Sequence, residues 1–204
     1  WTHRFVEKGV PHDTIEKRFG ESVLSFRDPD GMRLALACVP GSGTEPAWEG
    51  GDVPAEHAIR GFHGVSLLLE TGEATGAILT DVFGFAPEAT EGSVTRYRVA
   101  GNPVGGIVDI RAAGGFLSGR EGAGSVHHIA FRAADDAAQA AMVERLRARH
   151  GQRVTEQRDR NYFRSVYFRE PGGVLFEIAT DGPGFAVDEP AETLGEALKL
   201  PPQY

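Results

Sequence analysis

Two adjacent histidines and one glutamate are the residues of this chain best suited to chemistry. His127 and His128 open the apolar run Ile129-Ala130-Phe131, and Glu177 sits inside Gly173-Val174-Leu175-Phe176-Glu177-Ile178-Ala179-Thr180. Both runs read as buried strands, where an imidazole or a carboxylate needs a partner, and a metal ion is one that serves both. Adjacent residues on a strand face opposite ways, so only one of His127 and His128 can enter a given cavity. On the second run Leu175, Glu177 and Ala179 share one face, while Val174, Phe176 and Ile178 share the apolar other.

An ion pair from Glu177 to Arg160 or Arg164 is the plainer reading; metal ligation is the preferred one. Neutral imidazole with one carboxylate and open positions suits non-haem Fe(II), with Mn(II), Zn or Ni as alternatives. Two candidate ligands are not three, and His63 is the obvious third by residue type. Just before the Glu177 run, Arg158-Asp159-Arg160-Asn161-Tyr162-Phe163-Arg164-Ser165-Val166-Tyr167-Phe168 is dense in arginine and tyrosine. Such groups could steady an anionic phenolate, and Tyr167 is the best candidate among them. Arg164 and Arg169 read as a solvated charged face. His3, His12, His57 and His150 read as surface residues.

The elements that must position these groups follow a pattern. Residues 1–10 read as the end of an amphipathic helix closed by Gly9. Because the chain opens in that helix without Met, a further N-terminal portion is expected ahead of it. Residues 21–37 read as a hairpin around the type I turn Asp28-Pro29-Asp30-Gly31. A Gly- and Pro-rich linker follows. Residues 62–69 predict a strand, 75–83 a helix, and 86–88, 95–99 and 106–110 three short strands; 112–123 is loop-like. The double-histidine strand comes next, then a helix over 137–149 stopped at Gly151, and strands near 154–156, 165–168 and 174–179. The last segment reads as a loop with a helical turn around 193–198, stopped by Pro201-Pro202.

The segments repeat. An offset of 142 lays Val23-Leu24-Ser25-Phe26-Arg27-Asp28-Pro29 over Ser165-Val166-Tyr167-Phe168-Arg169-Glu170-Pro171, and an offset of 64 lays Phe62-His63-Gly64-Val65 over Val126-His127-His128-Ile129. The expected fold class is therefore α+β, with repeated βαβββ units forming curved mixed sheets. The units are a truncated one over 1–40, a linker over 41–60, a second over 61–113, a third over 124–181 that carries the metal motif, and a tail over 182–204. The offsets also place Glu177 on Ala35, Tyr167 on Ser25 and His128 on Gly64. Only the third unit has both a His and a Glu at these places. If His128 is the ligand, His63, which falls opposite His127, belongs beside the metal rather than on it.

Composition bounds the rest. The 204 residues carry a formal charge of −8, from 29 acidic and 21 basic side chains. That balance disfavours nucleic acid or an anionic membrane as partner. No apolar run approaches a bilayer span and no signal peptide is visible. The lone Cys38 forms no internal disulfide, so a cytoplasmic protein is expected.

The motifs Gly-Phe-His-Gly-Val at 61–65, Val-His-His-Ile-Ala-Phe at 126–131 and Tyr-Phe-Arg-Glu-Pro-Gly-Gly-Val-Leu-Phe-Glu-Ile-Ala-Thr-Asp at 167–181 resemble the vicinal oxygen chelate superfamily. Within it the chain is similar to the ring-cleaving dioxygenases of the hydroquinone type, of the glyoxalase/bleomycin-resistance/dioxygenase proteins, along essentially its whole length. The resemblance implies His128 and Glu177 as metal ligands, His127, Arg160 and Tyr167 as their supporting residues, and His63 as a substrate-side histidine. It implies Fe(II) and O₂-dependent cleavage of a hydroxylated aromatic ring of the hydroquinone or catechol class, and a homo-oligomer is compatible with it. The family's remaining histidine ligand lies in an N-terminal unit that this chain does not contain. The rival expectations are a glyoxalase-like Zn or Ni isomerase and a metal-free protein that sequesters a ligand in the same cleft.

Overall fold

A computed structural model describes residues 1–200 apart from 49, 103–104, 116–118 and 120. The expected loop over 112–123 and the Pro201-Pro202 stop therefore lie partly or wholly outside the described residues. The architecture is α+β, with two four-stranded mixed sheets and one three-stranded antiparallel sheet.

In chain order the elements are α1 (Thr2–Lys8), β1 (Glu16–Arg18), β2 (Glu21–Arg27), β3 (Arg33–Cys38), β4 (Gly64–Leu69), α2 (Glu73–Asp81), β5 (Phe85–Glu91), β6 (Val94–Val99), β7 (Ile107–Ala112), β8 (Ile129–Ala133), α3 (Asp136–His150), β9 (Arg158–Asp159), β10 (Phe163–Arg169) and β11 (Leu175–Pro183). They divide into two compact units. One comprises Trp1–Gly72 and Phe85–His127, the other Glu73–Gly84 and His128–Tyr204. Helix α2 thus groups with the second unit although its flanking strands β4 and β5 belong to the first.

In the first unit, α1 closes at Gly9, whose left-handed φ of 66° lets its N–H reach back to the Phe5 and Val6 carbonyls. The β2–β3 hairpin turns where expected, with the Gly31 N–H donating to the Asp28 carbonyl at 3.0 Å. The second sheet runs β4-β7-β6-β5, with β4 parallel to β7 and the other pairs antiparallel. Alternate strand residues such as Leu67, Leu69, Val108 and Ile110 are buried, which removes their apolar surface from water.

In the second unit the sheet runs β8-β11-β10-β9, with β11 parallel to β8. Phe83 stacks on Phe131 at 3.9 Å between centroids, and Phe131 and Phe168 both pack on Phe176 beside it. Helix α3 is set by its ends. The Asp135 carboxylate accepts from the Ala138 N–H at 2.8 Å, basic residues fill the last turn, and Gly151 closes it at a φ of 62°. The buried Gln139 on α3 donates to the carbonyls of Ile178 and Arg164, binding helix to sheet.

Several expectations are corrected. β8 begins at Ile129, so the two histidines stand immediately before the strand rather than on it, and His63 likewise precedes β4. No strand forms over 154–156; Thr155 instead clips onto Tyr167 by a backbone and a side-chain hydrogen bond. β1 was not expected, β5 is longer than the short strand read there, and helical turns occur over 185–187 and 191–193 rather than 193–198. His150 is no surface residue; its side chain is 15% exposed and its Nε2 lies 3.0 Å from Asp81. His12 is also half-buried, against the Phe5 ring.

Candidate metal centre

The third repeat holds the densest chemistry. Tyr167 on β10 is the direct register partner of Glu177 on β11, and Glu177 pairs in turn with Ala130 on β8. That ladder puts the carboxylate in the middle of a sheet, 3% exposed, with Phe176 and Ile178 turned to the opposite, apolar side. The Tyr167 phenol donates to Glu177 Oε1 at 2.7 Å. Glu177 Oε2 stands 2.7 Å from His128 Nε2, and the His128 and Tyr167 rings meet edge-on with centroids 6.1 Å apart. Each carboxylate oxygen thus has its own neighbour.

The arginine pairing for Glu177 does not occur. Arg160 turns to the Tyr167 phenol, with Nη2 at 3.3 Å from its oxygen and its guanidinium 5.5 Å from the ring centroid, while Arg158 lies 6.0 Å from the same ring. Arg164 pairs with Asp136. A buried carboxylate that no arginine among the described residues neutralises, beside an imidazole nitrogen, is a donor pair suited to a divalent cation. The pair is incomplete: among the described residues no group of three or more His, Cys, Asp or Glu side chains gathers as a metal site would need.

His127 is exposed beside His128. His63 lies in the first unit, where its Nε2 is 2.9 Å from Glu21 Oε2. The same Glu21 oxygen accepts from Arg96 Nη1 at 2.8 Å, and the other edge of the guanidinium grips both oxygens of Asp109 at 2.8 and 2.9 Å. Arg96 is 4% and Glu21 7% exposed. Burial works against the Arg96 charge, yet its hydrogen bonds to Asp109 and Glu21 outweigh it and hold its pKa above the ordinary arginine value. Burial likewise opposes ionised Glu21, but Arg96 and His63 hold its pKa below the ordinary carboxylate value.

Strand register shows what this second cluster is. Asp109 pairs with Ser66 on β4 and with Arg96 on β6. The 64-residue offset carries Ser66 onto Ala130, the partner of Glu177. Asp109 therefore occupies the place of Glu177, Arg96 that of Tyr167, and Gly64 that of His128. A side chain at Gly64 is impossible without movement, because its Cβ would lie 2.8 Å from the Cβ and the carbonyl oxygen of Ile107. The first unit thus carries a guanidinium–carboxylate lock at the position where the second unit carries the donor pair.

Ser165, Asp109, Arg96 and Glu21 escaped the sequence reading. Ser165 could have been found, because it lies two residues before Tyr167 and so shares its face. Arg96 and Asp109 are polar residues inside apolar strands, a signal of the same kind.

The motif-level family assignment agrees with direct comparison. Residues 53–178 match the model of the Glyoxalase/Bleomycin resistance protein/Dioxygenase superfamily. The chain is 45% identical over 204 residues to a Bacillus subtilis (strain 168) protein named "Putative ring-cleaving dioxygenase MhqO", covering 100% of this chain and 64% of that protein. It is 32% identical to the chlorohydroquinone/hydroquinone 1,2-dioxygenase of Sphingobium indicum over 206 residues, again covering 100% of this chain and 64% of the relative. A solved structure from Bacillus subtilis superposes with a TM-score of 0.87 at 44% identity, covering all of this chain and 64% of that one. The chain thus spans just under two thirds of the length of these relatives. With the matched model covering most of its length, the chain belongs to the glyoxalase/bleomycin resistance protein/dioxygenase superfamily.

Proposed function

We propose that this chain forms the larger part of a ring-cleaving dioxygenase that opens a hydroxylated aromatic ring of the hydroquinone or catechol class with O₂. The observation that carries the reading is the meeting of His128 Nε2 and Glu177 Oε2 at 2.7 Å, on a buried carboxylate that has no arginine partner among the described residues. The names of the relatives from Bacillus subtilis and Sphingobium indicum support the same class.

His128 and Glu177 would hold a divalent metal, Fe(II) by the donor chemistry, with Mn(II), Zn or Ni as the other candidates. Bound there, the ion supplies a positive charge that lowers the pKa of a phenol and brings phenol and O₂ together. Glu177 offsets part of that charge. Tyr167 keeps Oε1 occupied, so the carboxylate cannot swing freely. Arg160 would place positive charge beside the phenol oxygen, with Arg158 over the same ring, and so favour an anionic oxygen nearby. His127, exposed in the chain next to His128, would be the group that takes the substrate's proton. The third protein donor would come from a unit outside the described residues, as the greater length of the relatives suggests. His63 is committed to Glu21 in the first unit and serves the fold there.

Anaerobic loading of the intact polypeptide with Fe(II), followed by O₂ uptake with hydroquinone and with catechol, tests the reading. Stoichiometric uptake with ring-opened product is expected. Absence of uptake with both substrates, in protein that has bound iron, would contradict it.

A further inference from the structure

Ser165 is fully enclosed, at 0% exposure, on the site face of β10. A hydroxyl buried to that degree needs a partner, and Ser165 Oγ donates to the Tyr167 phenol oxygen at 3.1 Å. A phenol has one proton to give and two lone-pair positions to receive. Here Ser165 Oγ and Arg160 Nη2 both donate into the oxygen, and the single proton goes to Glu177 Oε1 at 2.7 Å. The chain of hydrogen bonds therefore has one direction, from Ser165 through Tyr167 to Glu177.

We propose that Ser165 is a positioning residue that fixes the Tyr167 proton on Glu177 Oε1, so that Glu177 offers one oxygen, Oε2, to the metal beside His128. The role rests on the metal-site reading above. Of the two donors into the phenol, Ser165 is the one held rigidly, enclosed within the strand; Arg160 reaches in from an exposed turn at the longer distance. Without the serine hydroxyl one lone-pair position loses its donor, and the phenol O–H is no longer compelled to point forward. Oε1 then competes with Oε2 for the cation. A carboxylate bound through one oxygen leaves a coordination position that a carboxylate bound through both would fill. Ser165 would in this way keep room for two reactants, a substrate oxygen and O₂, without touching either.

The test uses Co(II), whose visible spectrum reports coordination number, titrated into the intact polypeptide without O₂. Wild type, Ser165→Ala, Tyr167→Phe and the double variant are compared. Ser165→Ala is expected to bind Co(II) about tenfold more weakly, by analogy with other groups that orient metal ligands, and to lose visible band intensity as Glu177 shifts to two-oxygen binding. In the Tyr167→Phe background the serine substitution is expected to change neither quantity, because its effect passes through the phenol. Ser165→Ala that matches wild type in affinity and spectrum overturns the proposal. So does an equal loss in both backgrounds, which would mean that Ser165 acts on packing alone. Wild type that takes up no Co(II) overturns the metal reading itself, and the role of Ser165 with it.

Discussion

At the residue scale the donor pair separates two histidines that composition alone treats alike. His128 Nε2 reaches Glu177, whereas His127 is turned to the exposed side. Replacing His127 with Ala is therefore expected to leave metal affinity near wild type and to slow turnover by about 10²-fold or more, the loss usual for a proton-transferring group. A metal titration alongside steady-state kinetics checks it, and loss of metal in this variant would contradict the assignment. The internal offset singles out His128 and Glu177, because only one copy of the repeat has both, and the fold brings these two side chains together. Ser165 and the Arg96–Asp109 pair were not read, since their meaning depends on which residues strand register sets opposite one another. Register in β10–β11 also carries an irregularity between Phe163 and Ser165 that spacing does not announce.

At the element scale the β10–β11 hairpin holds Tyr167 opposite Glu177, and its turn is built around a buried carboxylate. Glu170 is 2% exposed and accepts from the Gly172 and Val174 N–H groups at 2.9 and 2.8 Å, and from the Thr75 hydroxyl of α2. Glu170→Ala leaves those donors without the acceptor and is expected to destabilise the protein by about 3 kcal/mol, read by urea unfolding. A change below about 0.5 kcal/mol, the range of an ordinary surface site, would show that the turn holds itself. The first unit offers a parallel case. Arg96→Met leaves Glu21 and Asp109 without their shared cation, and breaking a buried pair from one side costs about 3–5 kcal/mol. Comparable stability of Arg96→Met and wild type would mean that solvent already screens the lock. The helix ends at Gly9 and Gly151 and the Asp28–Gly31 turn were legible because local chemistry decides them. The strand expected at 154–156 was not, because Thr155 satisfies its backbone on Tyr167 without entering a ladder.

For the whole molecule, acid should unfold the protein through carboxylates that the fold keeps ionised. Glu21 has a folded pKa below its ordinary value of 4.5. Its contribution is present above pH 4.5 and is lost as pH falls through that value to the lower folded one. Asp81, held down by His150 and Arg149, and Asp181, held down by Arg132, act in the same direction from their ordinary value of 3.8. Urea midpoints measured across the acid range should fall steeply below about pH 4.5, and the fall should be shallower in Arg96→Met. An unchanged acid slope in that variant would remove Glu21 from the set. The α+β class could be read from the sequence, but the grouping of α2 with the second unit could not. Its buried residues Ile78 and Leu79 mark an apolar face without naming the sheet that receives it. The metal content of the intact polypeptide, measured after equilibrium dialysis against Fe(II) without O₂, bears most directly on the donor pair. Wild type and His63→Ala are expected to retain a single equivalent, and His128→Ala and Glu177→Gln none. Undiminished metal in the last two would contradict the assignment.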